Sequence, residues 1–524
     1  MGPGLHQGAR QANAGLARRM PVPFNPKLMM RVLFRRYLAA LLFLPVVVVA
    51  QGPAINPDTA AQRLGTQFIT AGGHAGLSIG VFDRGRTYFF NFGTTEIGAN
   101  RPPTANTLYE IGSITKTFTS LLLAQAVVEK KLALNDDIRR YLDGQYPNLA
   151  YAGQPIRLVH LANTTSALPD NLPDRPDLFA GKRSPDSVAA AYSRLHRNYS
   201  RAQFYQDLHQ VKLRRAPGTQ PQHSNVAAQL LGHILERVYK MPYEQLVQRY
   251  ILAPNGLTST MPTTAVPAAR AALQAKGYSQ ENHVTPFLTL PDLLPAGGLS
   301  SSAADLLKYV QLHLAKKNPA VQLTHQPTHG SIEAEAIGLN WFITKSVDSK
   351  RAFAHSGGTF GFASYCVFCP ELNRGFVLLA NKNSGSTESR LAALAAALEE
   401  GIFGTPPGMW AFRRELAKRR YQDALAVYTA TRRQHPELFL TEDYVNSWGY
   451  ALLAQGQKRA AIGVFQLNAG LYPGSANTYD SLAEAYEAAG ERELAIKNYR
   501  RSLELNPANG NAAEQLQKLE AGRN

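Results

Sequence analysis

Cysteine is almost absent from this chain, with two in 524 residues, so no disulfide framework defines the fold. Those two, Cys366 and Cys369, lie in FASYCVFCP, an aromatic and β-branched run in which odd spacing points them to opposite faces of a strand. They are predicted to be core thiols and not a redox pair, which needs a helix start. Acidic residues are missing before Asp58, where seven Lys or Arg stand, and this stretch supplies seven of the net +17 charges. The rest is a mild surface bias. No Arg/Lys run with interleaved aromatics occurs, which argues against nucleic-acid binding. No H-E-x-x-H or Walker-type glycine loop is present either, so neither a metal nor a nucleotide cofactor is implied.

An apolar run long enough for a bilayer, about 20 residues, is also lacking. Met29-Met30-Arg31, Arg35 and Arg36 lead instead into the shorter apolar run Tyr37 to Ala50, which ends in Val48-Val49-Ala50. A basic flank, a short apolar region and a small-residue cleavage site describe a secretory signal. Residues 1–50 are therefore read as an upstream extension plus signal peptide, and the mature protein as exported, periplasmic or extracellular, with no stable membrane anchor after cleavage.

What is present in abundance is apolar helix, and the strongest stretch runs from Tyr109 to Leu134, YEIGSITKTFTSLLLAQAVVEKKLAL. Ile114, Phe118, Leu121, Leu122, Ala126 and Val127 recur every three or four positions with little polar relief, predicting a helix sunk in a core. Ser113 falls at its first turn, where unpaired N–H groups and the helix dipole favour an incipient alkoxide. Lys116 projects from the same face. Burial disfavours its ammonium, so a neutral amine becomes available to take a serine proton. Ser113 is the candidate nucleophile.

Earlier, Leu77 to Asp83 and Thr87 to Gly93 predict a β-hairpin at a sheet edge around Arg84-Gly85-Arg86. Between Pro169 and Pro217 the chain is rich in Pro, Asp, Arg and Tyr with weak periodicity, the signature of a loop-rich helical region beside the site. The turn-dense segment Ala216 to Asn225 then exposes His223 and Asn225 before an amphipathic helix over Val226 to Tyr239. A second such segment, Pro295 to Ser302, feeds a helix with a capping box from Ser302 and Asp305. Glycines in Ala354-His-Ser-Gly-Gly-Thr-Phe-Gly-Phe362 precede two strand-like runs and let a ligand approach the backbone closely.

In this order Ser113-Ile-Thr-Lys116, His223-Ser-Asn225 and His355-Ser-Gly357 resemble the three motifs of the penicillin-recognising serine hydrolases. The likeness is to class C β-lactamases, D-alanyl-D-alanine carboxypeptidases and related esterases, and it includes VHLANTTSALPD, SNVAAQLLGHILERV and AGGLSSSAADLLKY. The resemblance implies an α+β fold over residues 51–403, an antiparallel sheet flanked by helices with a helical subdomain. It implies that Ser113 is acylated, Lys116 helps deprotonate it, and Asn225 holds the substrate amide or the lysine. His355 to Gly357 would form the strand edge along which substrate lies, and the N–H groups of Ser113 and Gly358 the oxyanion hole. His223 departs from the tyrosine usual in the family. An imidazole can serve the same proton transfer, with a different reach and geometry. The substrate expected is an amide or ester such as a D-amino-acid peptide, a β-lactam or a small ester. A different reading is a catalytically weakened binding protein of the same fold.

After Gly404-Thr-Pro-Pro-Gly408, residues 404–412 read as a linker. Gly456 and Gly490, Ala461 and Ala495, Phe465 and Tyr499, and Pro473 and Pro507 are each 34 apart, and a looser copy supplies Ala424, Tyr428 and Pro436. This resembles tetratricopeptide repeats, implying an all-α module over residues 413–524 that offers a peptide or protein partner a groove.

Overall fold

The structure is a computed structural model and describes residues 57–178, 185–196 and 198–521. The leader expected over residues 1–50 lies outside the described residues. Eight antiparallel strands form the main sheet: β1 (Gly76–Asp83), β2 (Arg86–Gly93), β3 (His329–Ser331), β4 (Glu335–Ile337), β5 (Phe342–Lys345), β6 (Arg351–Gly358), β7 (Ala363–Cys369) and β8 (Arg374–Ala380). Their order is β2-β1-β8-β7-β6-β5-β4-β3. The early hairpin does sit at an edge, and its inner strand pairs with the last strand, Leu77 opposite Ala380.

Side-chain alternation explains why β8 reads as an unbroken apolar run. Phe376, Leu378 and Ala380 join a core under two helices, α1 (Pro57–Gly72) and α2 (Thr387–Phe403), through Leu64, Phe68, Leu391 and Leu398. Val377 and Leu379 face the opposite core with Phe118, Leu307, Val310 and Trp341. Both faces are covered, so both parities must be apolar, each buried leucine contributing about 2 kcal/mol. Gly76-Leu-Ser-Ile-Gly80 matches a G-x-S-x-G pattern but lies inside β1, where Ser78 is buried against the Tyr109 hydroxyl at 2.9 Å. It is no nucleophile elbow.

The helices that matter for the site are αN (Thr115–Val128), which is buried nearly all round, αS (Asn225–Tyr239), and α2 (Thr387–Phe403). Phe118 stacks on Tyr309 with centroids 3.9 Å apart, which seats αN in the core. At Ser302 the hydroxyl accepts from the Asp305 N–H at 3.2 Å, half of the expected capping box. The Asp305 carboxylate turns instead to the Ser259 N–H at 2.5 Å.

The expected linker is a correction. Only residues 404–406 lie between helices, because a helix starts at Pro407 and runs to Lys418. Proline is pre-organised for a first helical turn, and Met409 and Phe412 give that helix a buried face. Six more helices follow, from Ala424–Gln434 to Gly510–Ala521, around a core of their own that includes Val427, Phe465 and Tyr499. The repeated positions Ala461, Ala495, Phe465 and Tyr499 are all fully buried, as helix-crossing and gap-filling residues must be. This array touches the β5–β6 turn: the Phe439 N–H donates to the Val347 carbonyl at 3.0 Å, and Ser349 Oγ to the Glu437 carbonyl at 2.6 Å. Arg413 pairs with Glu400 at the end of α2. Of the two cysteines, Cys366 is buried, and Cys369, at the strand's end, is half-buried. Burial pushes both thiols up to about 12, against redox chemistry at neutral pH.

Candidate active site

A short strand, Tyr109–Glu110, pairs with Leu299–Ser301 and delivers the chain into a single 3-10 turn, Gly112–Ile114, that runs directly into αN. Ser113 sits in that turn. Gly112 has φ +49°, and a Cβ on it would fall 2.7 Å from the Gly358 nitrogen. On the facing strand, a Cβ on Gly357 would lie 2.0 Å from the Ile111 oxygen and 2.8 Å from the Ser113 nitrogen. Only glycine permits this approach. It sets the N–H groups of Ser113 and Gly358 on adjoining backbones. Ser364 Oγ, donating to the Ile111 carbonyl at 2.7 Å, latches the two segments.

Lys116 Nζ donates to Ser113 Oγ at 2.7 Å, to Asn225 Oδ1 at 2.8 Å and to the Ala296 carbonyl at 2.8 Å. Its three ammonium donors are thus all taken. Burial pulls its pKa down to about 8, with the carboxylates of Asp170 and Glu388 working the other way. Asn225 opens αS, donating through Nδ2 to Asn171 Oδ1 at 3.0 Å, which also accepts from the Tyr192 hydroxyl at 3.0 Å. Ser224 caps the helix, accepting from the Ala227 N–H at 3.0 Å and donating to the Pro169 carbonyl at 2.7 Å.

His223 is exposed, with Nδ1 2.6 Å from Asp170 Oδ1. Burial works to raise the Asp170 pKa, but His223, Lys116 and the Asn225 N–H outweigh it and hold the carboxyl below its ordinary value. A carboxylate on Nδ1 fixes the tautomer that leaves Nε2 free. His355 is less available than expected at a strand edge. Its ring is buried, 7% exposed, and burial, reinforced by Lys116, lowers its pKa to about 3, so it is neutral. The backbone beyond it remains open: β5 pairs with β6 only as far as Phe342 opposite Ala354. Among the described residues no strand covers His355–Gly358 on that side. Hydrogen bonds join Ser113, Lys116 and Asn225 and, separately, His223 and Asp170; Lys116 also acts electrostatically on Asp170, and the Gly112 turn abuts Gly358.

Three acids at this site escaped the motif reading. Asp170 ends the ALPD phrase, and its spacing from His223 carries no periodic signal. Glu110 accepts from the Leu288 N–H at 2.5 Å and from Thr359 Oγ1 at 2.7 Å, tying the Ser113 segment to the residue after Gly358. Its burial raises its pKa to about 7. Glu388, in the first turn of α2, is the third. Among the described residues no group of three or more His, Cys, Asp or Glu is placed to hold a metal ion.

Fold and site together define a serine hydrolase. The profile described as Beta-lactamase matches residues 61–401, and the chain belongs to that family. A Beta-lactamase of Pseudomonas fluorescens is 29% identical over 362 residues, spanning 61% of this chain and 92% of the relative. The D-alanyl-D-alanine-carboxypeptidase/endopeptidase AmpH of Escherichia coli K12 is 26% identical over 354 residues, 64% of this chain and 87% of the relative. Among solved structures, a class C β-lactamase superposes with a TM-score of 0.56 at 23% identity, covering 67% of this chain and 97% of that one, a likeness of fold. A β-lactamase/D-alanine carboxypeptidase from Yersinia pestis, complexed with citrate, gives 0.54 at 25% identity over 65% of this chain and 98% of that one.

Proposed function

We propose that this hydrolase works through a covalent acyl-enzyme on Ser113 and cleaves an amide or ester of a D-amino acid or a compound resembling one. The observation that carries the reading is the 2.7 Å contact from Lys116 Nζ to Ser113 Oγ, with a lysine pKa that leaves a usable fraction of neutral amine near neutrality. Neutral Lys116 takes the Ser113 proton as Oγ attacks the carbonyl carbon. The resulting oxyanion accepts hydrogen bonds from the N–H groups of Ser113 and Gly358. As the C–N or C–O bond breaks, the proton that Lys116 took from Ser113 passes by way of His223 Nε2 to the leaving group, which returns Lys116 to its neutral form, Asp170 holding the ring through Nδ1. Water then attacks the ester and regenerates Ser113. Asn225 positions both the lysine and the substrate amide, and the open backbone of His355–Gly358 receives an extended substrate.

A fluorescent penicillin or a fluorophosphonate probe should label the protein once, on the peptide bearing Ser113, and Ser113→Ala should take up no label. Equal labelling of folded Ser113→Ala would sink the assignment. The names of the relatives, the D-alanyl peptidase above all, support the substrate class, and the basic-then-apolar leader supports export to where such substrates are found.

We also propose that the helical array is a separate unit that binds a peptide or protein partner. Its core is distinct, and it meets the hydrolase through a few polar contacts and Val347. A chain ending at Gly404 should stay soluble and retain small-substrate kcat/KM within about threefold, since repeats are stabilised mainly by their neighbours. Loss of turnover in a folded, truncated protein would make the array part of the catalytic unit.

A further inference from the structure

The Glu388 carboxylate has a place the mechanism above does not use. A Cβ built on Gly358 would meet Glu388 Oε1 at 2.3 Å and Asn383 Nδ2 at 3.0 Å, so the carboxylate lies directly beside the residue whose N–H faces the scissile carbonyl. The Ser356 side chain lies within hydrogen-bonding reach of it. An acid in a helix's first turn is ordinarily a solvated partner for the dipole. Glu388 is instead withdrawn from solvent and within electrostatic reach of Lys116 and His223.

The charges around it are few. Lys116 and His223 act on it from across the cavity, yet burial dominates and leaves its pKa raised. Lys116 already spends its three donors on Ser113, Asn225 and Ala296. His223 is engaged by Asp170, and His355 is neutral. No cationic side chain forms an ion pair with Glu388 among the described residues. The strand edge thus presents one carboxylate without a contacting cation, set against the Gly358 backbone and within electrostatic reach of Lys116 and His223.

We propose that Glu388 is a specificity-determining residue that selects substrates with a protonated amine next to the scissile carbonyl, an α-aminoacyl group, over substrates whose acyl portion carries a carboxylate. The inference rests on the proposed acylation of Ser113. An ammonium at that position gains the interaction Glu388 otherwise lacks, whereas a carboxylate meets like charge in a partly desolvated cleft. The discrimination between the two is on the order of 10²-fold for charges about 5 Å apart at the edge of a protein interior.

The test uses the full chain and three p-nitroanilides that share one acyl residue: D-alanyl with its free ammonium, N-acetyl-D-alanyl, and N-succinyl-D-alanyl, which ends in a carboxylate. The same three groups as boronic acids, competing with the fluorescent label for Ser113, report binding without turnover. The wild type should rank ammonium first and carboxylate last by kcat/KM and by boronate competition. Glu388→Gln should reduce the ammonium-to-carboxylate ratio by about tenfold or more, Glu388→Lys should invert it, and Glu388→Asp should keep its sign. A wild type that prefers the carboxylate overturns the inference without any variant. So do Glu388→Gln and Glu388→Lys variants in which all three compounds weaken in parallel, the result of a structural role. In both cases Ser113 still takes the label and the acyl-enzyme reading stands. A protein that takes no label on Ser113 and turns over none of the three loses both.

Discussion

Lys116→Ala is expected to lower kcat/KM by about 10³-fold or more, because it removes the proton acceptor and also a link that holds Ser113 and Asn225 together. Lys116→Arg should not rescue it. A guanidinium keeps its proton in proteins and cannot act as the base. The pH dependence carries the sharper test. With the lysine pKa lowered by burial to about 8, the active, neutral form is lost as pH falls, so wild-type kcat/KM should rise about tenfold per pH unit below that value and level off above it. A profile flat between about pH 6 and 9, or substantial activity in Lys116→Arg, would remove Lys116 from the proton transfer.

Asp170→Asn should lower kcat/KM by about 10²- to 10⁴-fold with little loss of stability. The backbone carbonyl of Asp170, which accepts from the Asn225 N–H at 2.8 Å, survives the change and keeps αS in place. The carboxylate does not survive. An amide can offer Nδ1 a donor, which favours the tautomer with its proton on Nε2 and spoils the relay. His223→Ala should cost a similar factor, and the double variant should be no worse than either single one, because the two residues act as a unit. Additive losses would mean that Asp170 and His223 act separately. His223→Tyr should keep or raise activity; an unaffected His223→Ala would take the imidazole out of the reaction, and a wild type that is inactive but awakened by His223→Tyr would favour a binding protein over an enzyme.

The parts of the site that could be read from sequence share one property: they are local. Ser113 and Lys116 are three apart on one helix, and His223 with Asn225, or His355 with Gly357, stand in single turns. The acids could not be read this way. Asp170 meets His223 only because Ser224 and Asn225 are bonded to the Pro169 and Asp170 carbonyls, and Glu388 reaches Gly358 only through the packing of α2 on the sheet. The burial of His355 depends on neighbours from other strands. The linker error has a local cause of another kind. Proline and glycine in Gly404 to Gly408 signal a break, but Pro407 starts a helix as readily as it ends one. The repeats were legible because a fixed period survives the lack of any single strong residue.

The pairing of β1 with β8 carries a consequence for how the chain acquires its shape. The central layer cannot be completed by growth outward from the first hairpin, since Leu77 finds Ala380 and Asp83 finds Arg374 only after nearly the whole hydrolase chain exists. Contacts between such remote residues are closed at high entropic cost and are associated with slow folding. Until β8 arrives, Leu77, Ile79 and Val81 lack the neighbouring strand whose Phe376, Leu378 and Ala380 complete their apolar layer, and one flank of the first hairpin stays unpaired and prone to mispairing. The residues that close the sheet are thus among the last of this unit to emerge, and folding of the catalytic cleft is timed by its far end.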